Sequence, residues 1–394
     1  MDEKKTALVA VESDITRDPR VRRQVDWLVE DGWTVDTLGL GPLSTDTVRD
    51  HFALGVPPAW TRSAIGTAVA YGLMSHAQTF SALTISRFPV ELRRRVRDGG
   101  YALVVLNDRH FVPWVTDPRD FTDASRATHI HLDLHEYFPR QLTGKSLWTR
   151  LTGPFYRWGR SLFGDPAFTT RSTVNSGISR IYADEFGIPA PAIIRNCPPY
   201  IEQEPRPVDD QEIRLLHHGM ASWDRGLRQI VDAMRHTDER FTMTFMLLGN
   251  EAIIDELRDY ASDLGDRVRI EPPAPMRELS AVVNHYDLEV MYYEPATRNL
   301  ELALPNKLFE AVQGRLGLVV GRSPMMTEIV ERYGNGAIVD GWGIHDLADR
   351  LNALSADDVR RFKAASHRAA HDLSAENERS EFFRVIAAVR EEIQ

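Results

Sequence analysis

Short apolar runs separated by amphipathic stretches recur along this chain in two successive series, and that alternation restricts the fold more than any other feature. In the first half Ala7–Val11, Thr34–Leu40, Ala102–Leu106, Ile130–Asp133 and Ala192–Arg195 read as strands. Strands interleaved with helices imply a parallel sheet with crossover helices. Asp18-Pro19 predicts where the first helix begins, because aspartate suits the N-cap and proline the first helical position. Val21, Val25, Leu28 and Val29 then line one helical face.

Asn196 to Asp210 carries four prolines with Glu202 and Glu204, a composition that suits a linker better than a helix or a central strand. A second series follows, with strands expected over Ile213–His217, Thr242–Leu248, Arg267–Glu271, Leu288–Tyr292 and Leu316–Val320. Helices are expected over Leu227–Arg235, Glu251–Leu264 and Lys307–Gln313. The 394 residues fit two such α/β domains, since single cores tend to split beyond roughly 250–300 residues. From Ala356 the chain reads as polar helix, with Phe382, Phe383, Ile386 and Val389 at helical spacing.

A net charge of −10 argues against a nucleic-acid partner, which would need many cations for phosphate. Any anionic ligand has to be met locally. Only five basic residues are lysine, so a lysine inside a motif, such as Lys307, stands out. One cysteine, Cys197, excludes an intrachain disulfide and a multi-cysteine zinc site. No long apolar segment is present, and the expected compartment is the cytoplasm. A dinucleotide-dependent oxidoreductase is disfavoured: the turn after the first strand, Glu12-Ser13-Asp14-Ile15-Thr16, holds no glycine.

Two segments carry chemistry. His217-His218-Gly219-Met220-Ala221-Ser222-Trp223-Asp224-Arg225-Gly226 joins a strand to an amphipathic helix. A glycine turn with a cation at a helix mouth makes an anion site, because free N–H groups, helix dipole and guanidinium converge. In Leu304-Pro305-Asn306-Lys307-Leu308-Phe309-Glu310-Ala311, Lys307 and Glu310 share a face at the first helical turn. The lysine suits a phosphate, and the carboxylate suits a ribose diol. Taken alone, each segment is better read as ordinary structure, the first as a plain turn with a solvated arginine and the second as a surface ion pair worth under ~1 kcal/mol.

Together they resemble a known family, the retaining glycosyltransferases of the GT-B fold, particularly glycosyltransferase family 4. Five segments carry the resemblance in order: Asp18-Pro19-Arg20-Val21-Arg22-Arg23, Asp133-Leu134-His135-Glu136-Tyr137-Phe138, Arg195-Asn196-Cys197-Pro198, the Gly219–Gly226 loop, and Leu304 to Ala311. The resemblance implies two Rossmann-like doubly wound domains facing a cleft. Residues 1–200 would form an acceptor-binding domain, 201–375 a nucleotide-sugar-binding domain, and 376–394 a C-terminal helix packing on the domain surfaces. It further implies a hexosyltransferase with a nucleotide-diphosphate sugar as donor and a glycan, lipid-linked or small-molecule acceptor. Gly219, Arg225, Asn306, Lys307 and Glu310 would form the donor site, and His135 would be the catalytic residue at the donor sugar. No metal or other cofactor is expected, the cations and helix dipoles taking that part. A nucleotide-sugar epimerase of the same architecture and a non-catalytic nucleotide-sugar-binding subunit are the alternatives.

The chain departs from the family pattern at Leu302, where a second glutamate is usual, and at Met220, where a basic residue is usual. Asn299 or Glu301 is the expected substitute for the sugar contact. Between Lys145 and Arg160 basic residues interleave with Trp148, Phe155, Tyr156 and Trp158, and Arg93–Arg97 forms a second basic cluster. Such a segment suits a peripheral contact with the inner face of the cell membrane. An ordinary helix burying its aromatics explains it equally well.

Overall fold

A computed structural model describes residues 5–43, 46–121, 128–138 and 146–387. The chain divides into two units: Met1–Ile194 with Arg379–Gln394, and Arg195–Glu378. Each is built on one parallel sheet.

The first sheet has seven strands: β1 (Thr6–Ala10), β2 (Thr34–Gly39), β3 (Asp50–Ala53), β4 (Leu103–Asn107), β5 (His129–Asp133), β6 (Thr170–Thr173) and β7 (Ala192–Ile193). Their order is β3-β2-β1-β4-β5-β6-β7, so the direction of winding reverses between β1 and β4. Both of those strands are buried throughout, as a strand covered by helices on two faces must be. The helix Pro19–Glu30 begins as predicted, with Asp18 accepting from the Val21 N–H and Pro19 at the first position.

Two strands of this sheet escape periodicity. β3 is a short edge strand, and β6, Thr-Arg-Ser-Thr, is polar because its hydroxyls are used internally. Ser172 Oγ donates to Asp133 Oδ1 at 2.9 Å and Thr173 Oγ1 to the Leu134 carbonyl at 2.7 Å. Asp133 also receives two hydrogen bonds from Arg20, each 2.7 Å, and one from Gln24 at 2.6 Å. The Arg20 and Asp133 segments, far apart in sequence, therefore meet in a buried structural pair.

The second sheet has six strands: β8 (Ile213–Ala221), β9 (Phe241–Gly249), β10 (Val268–Glu271), β11 (Leu288–Met291), β12 (Gly317–Gly321) and β13 (Gly336–Val339). In the order β10-β9-β8-β11-β12-β13 the winding reverses between β8 and β11. One core packs the Leu227–Met234 helix against β8 and β9, and another packs the Asn306–Gln313 helix against β11 and β12. In open parallel sheets the loops diverge at such reversal points and leave a crevice at the carboxyl ends of the strands. β8 and β11 end there in the second unit, β1 and β4 in the first.

Residues 195–200 belong to the second unit. Glu378 accepts from the Arg195 N–H at 2.6 Å and from its guanidinium at 3.0 Å, and the Ala375 N–H donates to the Pro198 carbonyl at 2.8 Å. The helix Ala375–Val385 continues from there, and its Phe382 ring lies 5.8 Å from those of Trp27 and His131 in the first unit's core. Val389 lies outside the described residues.

Candidate functional site

The carboxyl end of β8 carries two adjacent buried histidines, His217 and His218. His217 Nδ1 lies 2.8 Å from the Val290 carbonyl, which only accepts, so this nitrogen carries the proton. Its Nε2, 3.1 Å from Lys307 Nζ, is left with a lone pair that accepts from the lysine. Burial, together with the Lys307 charge, holds His217 well below the usual histidine range. Burial also lowers Lys307 to about 8, with Glu289 opposing and Arg225 adding to the fall. A lysine so placed gains most from an added negative charge.

Gly219 covers this lysine. Its φ of +113° lies in the region that favours glycine, and a Cβ there would stand 3.3 Å from Lys307 Cε. Gly226 is fixed more tightly, with φ +71° and the place of a Cβ only 1.9 Å from the Tyr292 carbonyl oxygen. That glycine ends the turn Trp223–Arg225 and opens the Leu227–Met234 helix. Arg225, on this turn, holds its guanidinium carbon 5.4 Å from the centre of the Tyr293 ring.

His218 bridges two carboxylates. Its Nδ1 is 2.9 Å from Glu289 Oε2, its Nε2 is 2.9 Å from Glu310 Oε2, and its backbone N–H donates to Glu289 Oε1 at 3.2 Å. Both ring nitrogens face acceptors, which requires the imidazolium. Burial works against that charge, but Glu289 and Glu310 outweigh it and push His218 up to about 9. Lys307 and Glu310 thus share the face foreseen at the start of the Asn306–Gln313 helix, and each is braced by one histidine from β8.

The other donor-site expectations fall out differently. Asn306 accepts from Asn196 Nδ2 at 2.8 Å. Asn299 is exposed and Glu301 is paired with Arg298 at 2.6 Å, and no hydrogen bond among the described residues joins either to the cluster. Leu302 is buried. Sequence reasoning gave no role to His217, His218 or Glu289. The signal was present in Glu289, a carboxylate within the apolar strand Leu288–Met291 that demands a partner when buried.

In the first unit His135 follows β5, and its Nδ1 lies 3.2 Å from Asp108 Oδ1 after β4. Asp108 adopts φ +62°, and burial raises its carboxyl to about 6 against the pull of His135. Glu136 is exposed.

The aromatic segment forms the helix Leu147–Ser161; Lys145 lies outside the described residues. Three of its presumed membrane residues are engaged internally. Phe155 meets Tyr71 with ring centres 5.3 Å apart, and Trp158 meets His76 at 5.7 Å. Arg160 is buried against Glu185 and donates to the Phe138 carbonyl at 2.6 Å. The Arg93–Arg97 cluster is likewise neutralised: Arg93 by Asp120, Arg94 by Glu91, Arg95 by Asp36 and Asp50, Arg97 by Asp98. Trp148, Arg150 and Arg157 remain exposed. Among the described residues no helix is long and apolar enough to cross a membrane.

Solved structures share this architecture over almost the whole chain. Sucrose-phosphate synthase (tll1590) from Thermosynechococcus elongatus matches with a TM-score of 0.69 at 14% identity, over 98% of this chain and 99% of its own. The fold is GT-B. Two further structures of GT-B fold are similar. The α,α-trehalose-phosphate synthase (UDP-forming) from Burkholderia vietnamiensis matches at TM-score 0.62 and 12% identity, over 98% of this chain and 100% of its own. Anabaena Alr3699/HepE in complex with UDP matches at TM-score 0.60 and 14% identity, over 98% and 100%. No protein-family model and no curated protein matches the sequence.

Proposed function

We propose that this protein is a glycosyltransferase whose second unit binds a nucleoside diphosphate sugar, and that it transfers the sugar with retention of anomeric configuration. The observation that carries the reading is the braced Lys307–Glu310 pair at the reversal point of the second sheet, beside the Gly219 turn and Arg225. Lys307 and Arg225 would face the diphosphate, whose charge grows as the bond to the sugar breaks, so their attraction is greatest in the transition state. Glu310, anchored through one oxygen by the His218 imidazolium, has its other oxygen free of that contact to accept from ribose hydroxyls. His135, whose Nδ1 lies 3.2 Å from Asp108, would contact the donor sugar.

In the step itself the bond between the anomeric carbon and the diphosphate oxygen breaks, and the acceptor oxygen bonds to the same carbon on the same face. The acceptor's proton passes to the departing phosphate oxygen. The neighbours' names include two sugar-phosphate synthases, one of them UDP-forming, and a protein bound to UDP, which supports uridine nucleotides as the first donors to try.

Incubation with a panel of UDP-sugars and acceptors, read by UDP release and by NMR of the first product, tests this. Transfer with the donor's anomeric configuration is expected, and it should persist with excess chelator. Sugar isomerisation without UDP release would favour the epimerase alternative, and binding without turnover the non-catalytic subunit.

A further inference from the structure

Within the first unit a cavity of about 380 Å³ opens beside the reversal point of the sheet. Glu12, which follows β1, and Arg109, which follows β4, both line it. Five arginines reach its wall against the single carboxylate of Glu12. Arg87 is neutralised by Glu12, and Arg160 by Glu185. Arg62, Arg109 and Arg157 have no acidic partner among the described residues.

Arg109 is the most informative of the three. Its guanidinium carbon lies 4.8 Å from the centre of the Phe138 ring and 5.1 Å from that of Tyr156. Stacked on rings, a guanidinium keeps its in-plane N–H edge for a planar oxyanion. Its Nε is buried and finds no acceptor among the described residues. Tyr71, Phe80 and Phe155 extend the wall with apolar surface.

We infer that this cavity binds a molecule with one phosphate-like anionic group joined to an apolar body, the anion on Arg109 with Arg62 and Arg157, the body against Tyr71, Phe80 and Phe155. As the acceptor's place it rests on the transferase reading above, whereas as a binding site it does not.

The test is calorimetric titration of the full-length protein, without donor, using octyl phosphate below its micellar concentration, octanol and inorganic phosphate. Octyl phosphate should bind at least tenfold more tightly than either of the others. Arg109→Gln should weaken it at least tenfold and Arg157→Gln, at an exposed position, at least threefold. Sedimentation with phosphatidylcholine vesicles containing phosphatidic acid, lost in Arg109→Gln, would place the anion on a lipid head. Octyl phosphate binding without such sedimentation would place it on a soluble phosphoester; either result supports the site. Equal binding of inorganic phosphate, equal binding of octanol, or wild-type affinity in Arg157→Gln would overturn it. Because no donor is used, failure of glycosyl transfer leaves these outcomes unchanged.

Discussion

His218 Nε2 stands 2.9 Å from Glu310 Oε2, while its other ring nitrogen is 2.9 Å from the fully buried Glu289. The imidazolium is thus part of the folded structure up to pH about 9, whereas an unfolded histidine loses its proton near 6.5. A raised folded pKa means stabilisation that is complete below about 6.5 and lost as pH rises towards 9. The effect should be on the order of 3 kcal/mol. The gap in melting temperature between wild type and His218→Gln should narrow across that window; a gap independent of pH would contradict the pairing.

Lys307 titrates in the opposite sense. Its pKa of about 8 in the free protein should rise when a diphosphate is bound, so binding takes up a proton above pH 8. UDP affinity should then fall by up to about tenfold per pH unit above 8. Lys307→Met should bind weakly at every pH and show no such slope in calorimetry.

Gly226→Ala tests the turn that presents Arg225. The added methyl meets the Tyr292 carbonyl, and φ +71° is itself unfavourable for alanine. A loss of at least about 2 kcal/mol in urea unfolding is expected. Gly334→Ala, with a similar φ of +65° but nothing near the Cβ, should lose less.

Much of this was legible in the sequence because parallel strands are buried on both faces and leave apolar runs. β1, β2, β4, β5 and most of the second sheet announce themselves that way. β6 did not, since its Ser172 and Thr173 satisfy Asp133 and Leu134 across the sheet, a long-range pairing without local periodicity. Lys307 and Glu310 were visible from helical spacing, but their braces from β8 and β11 are 90 and 92 residues away for the histidines. The Lys145–Arg160 segment stayed open between two readings because alternating aromatics and arginines suit lipid and protein interiors alike; the Arg160–Glu185 pair and the Tyr71–Phe155 contact engage two of its residues internally through partners distant in sequence.

Arg20 carries a structural prediction of its own. It donates to both Asp133 oxygens and, at 2.8 Å, to the Ile194 carbonyl. Arg20→Gln leaves a buried carboxylate with Gln24 and Ser172 alone, at a cost of about 3–5 kcal/mol. Chemical denaturation should report that loss, and a loss under about 1 kcal/mol would show that the pair is not needed.

The central claim is that Lys307 and Glu310 hold a nucleoside diphosphate in the second unit, and calorimetric titration of UDP into wild type, Lys307→Met and Glu310→Gln addresses it most directly. Each charge-assisted contact contributes about 1.5–3 kcal/mol, so each variant should bind at least about tenfold more weakly; Lys307→Met, which removes a desolvated charge, should unfold at a wild-type or higher temperature, and Glu310→Gln, which gives up the contact with His218, somewhat lower. Equal UDP affinity in all three proteins would contradict the account.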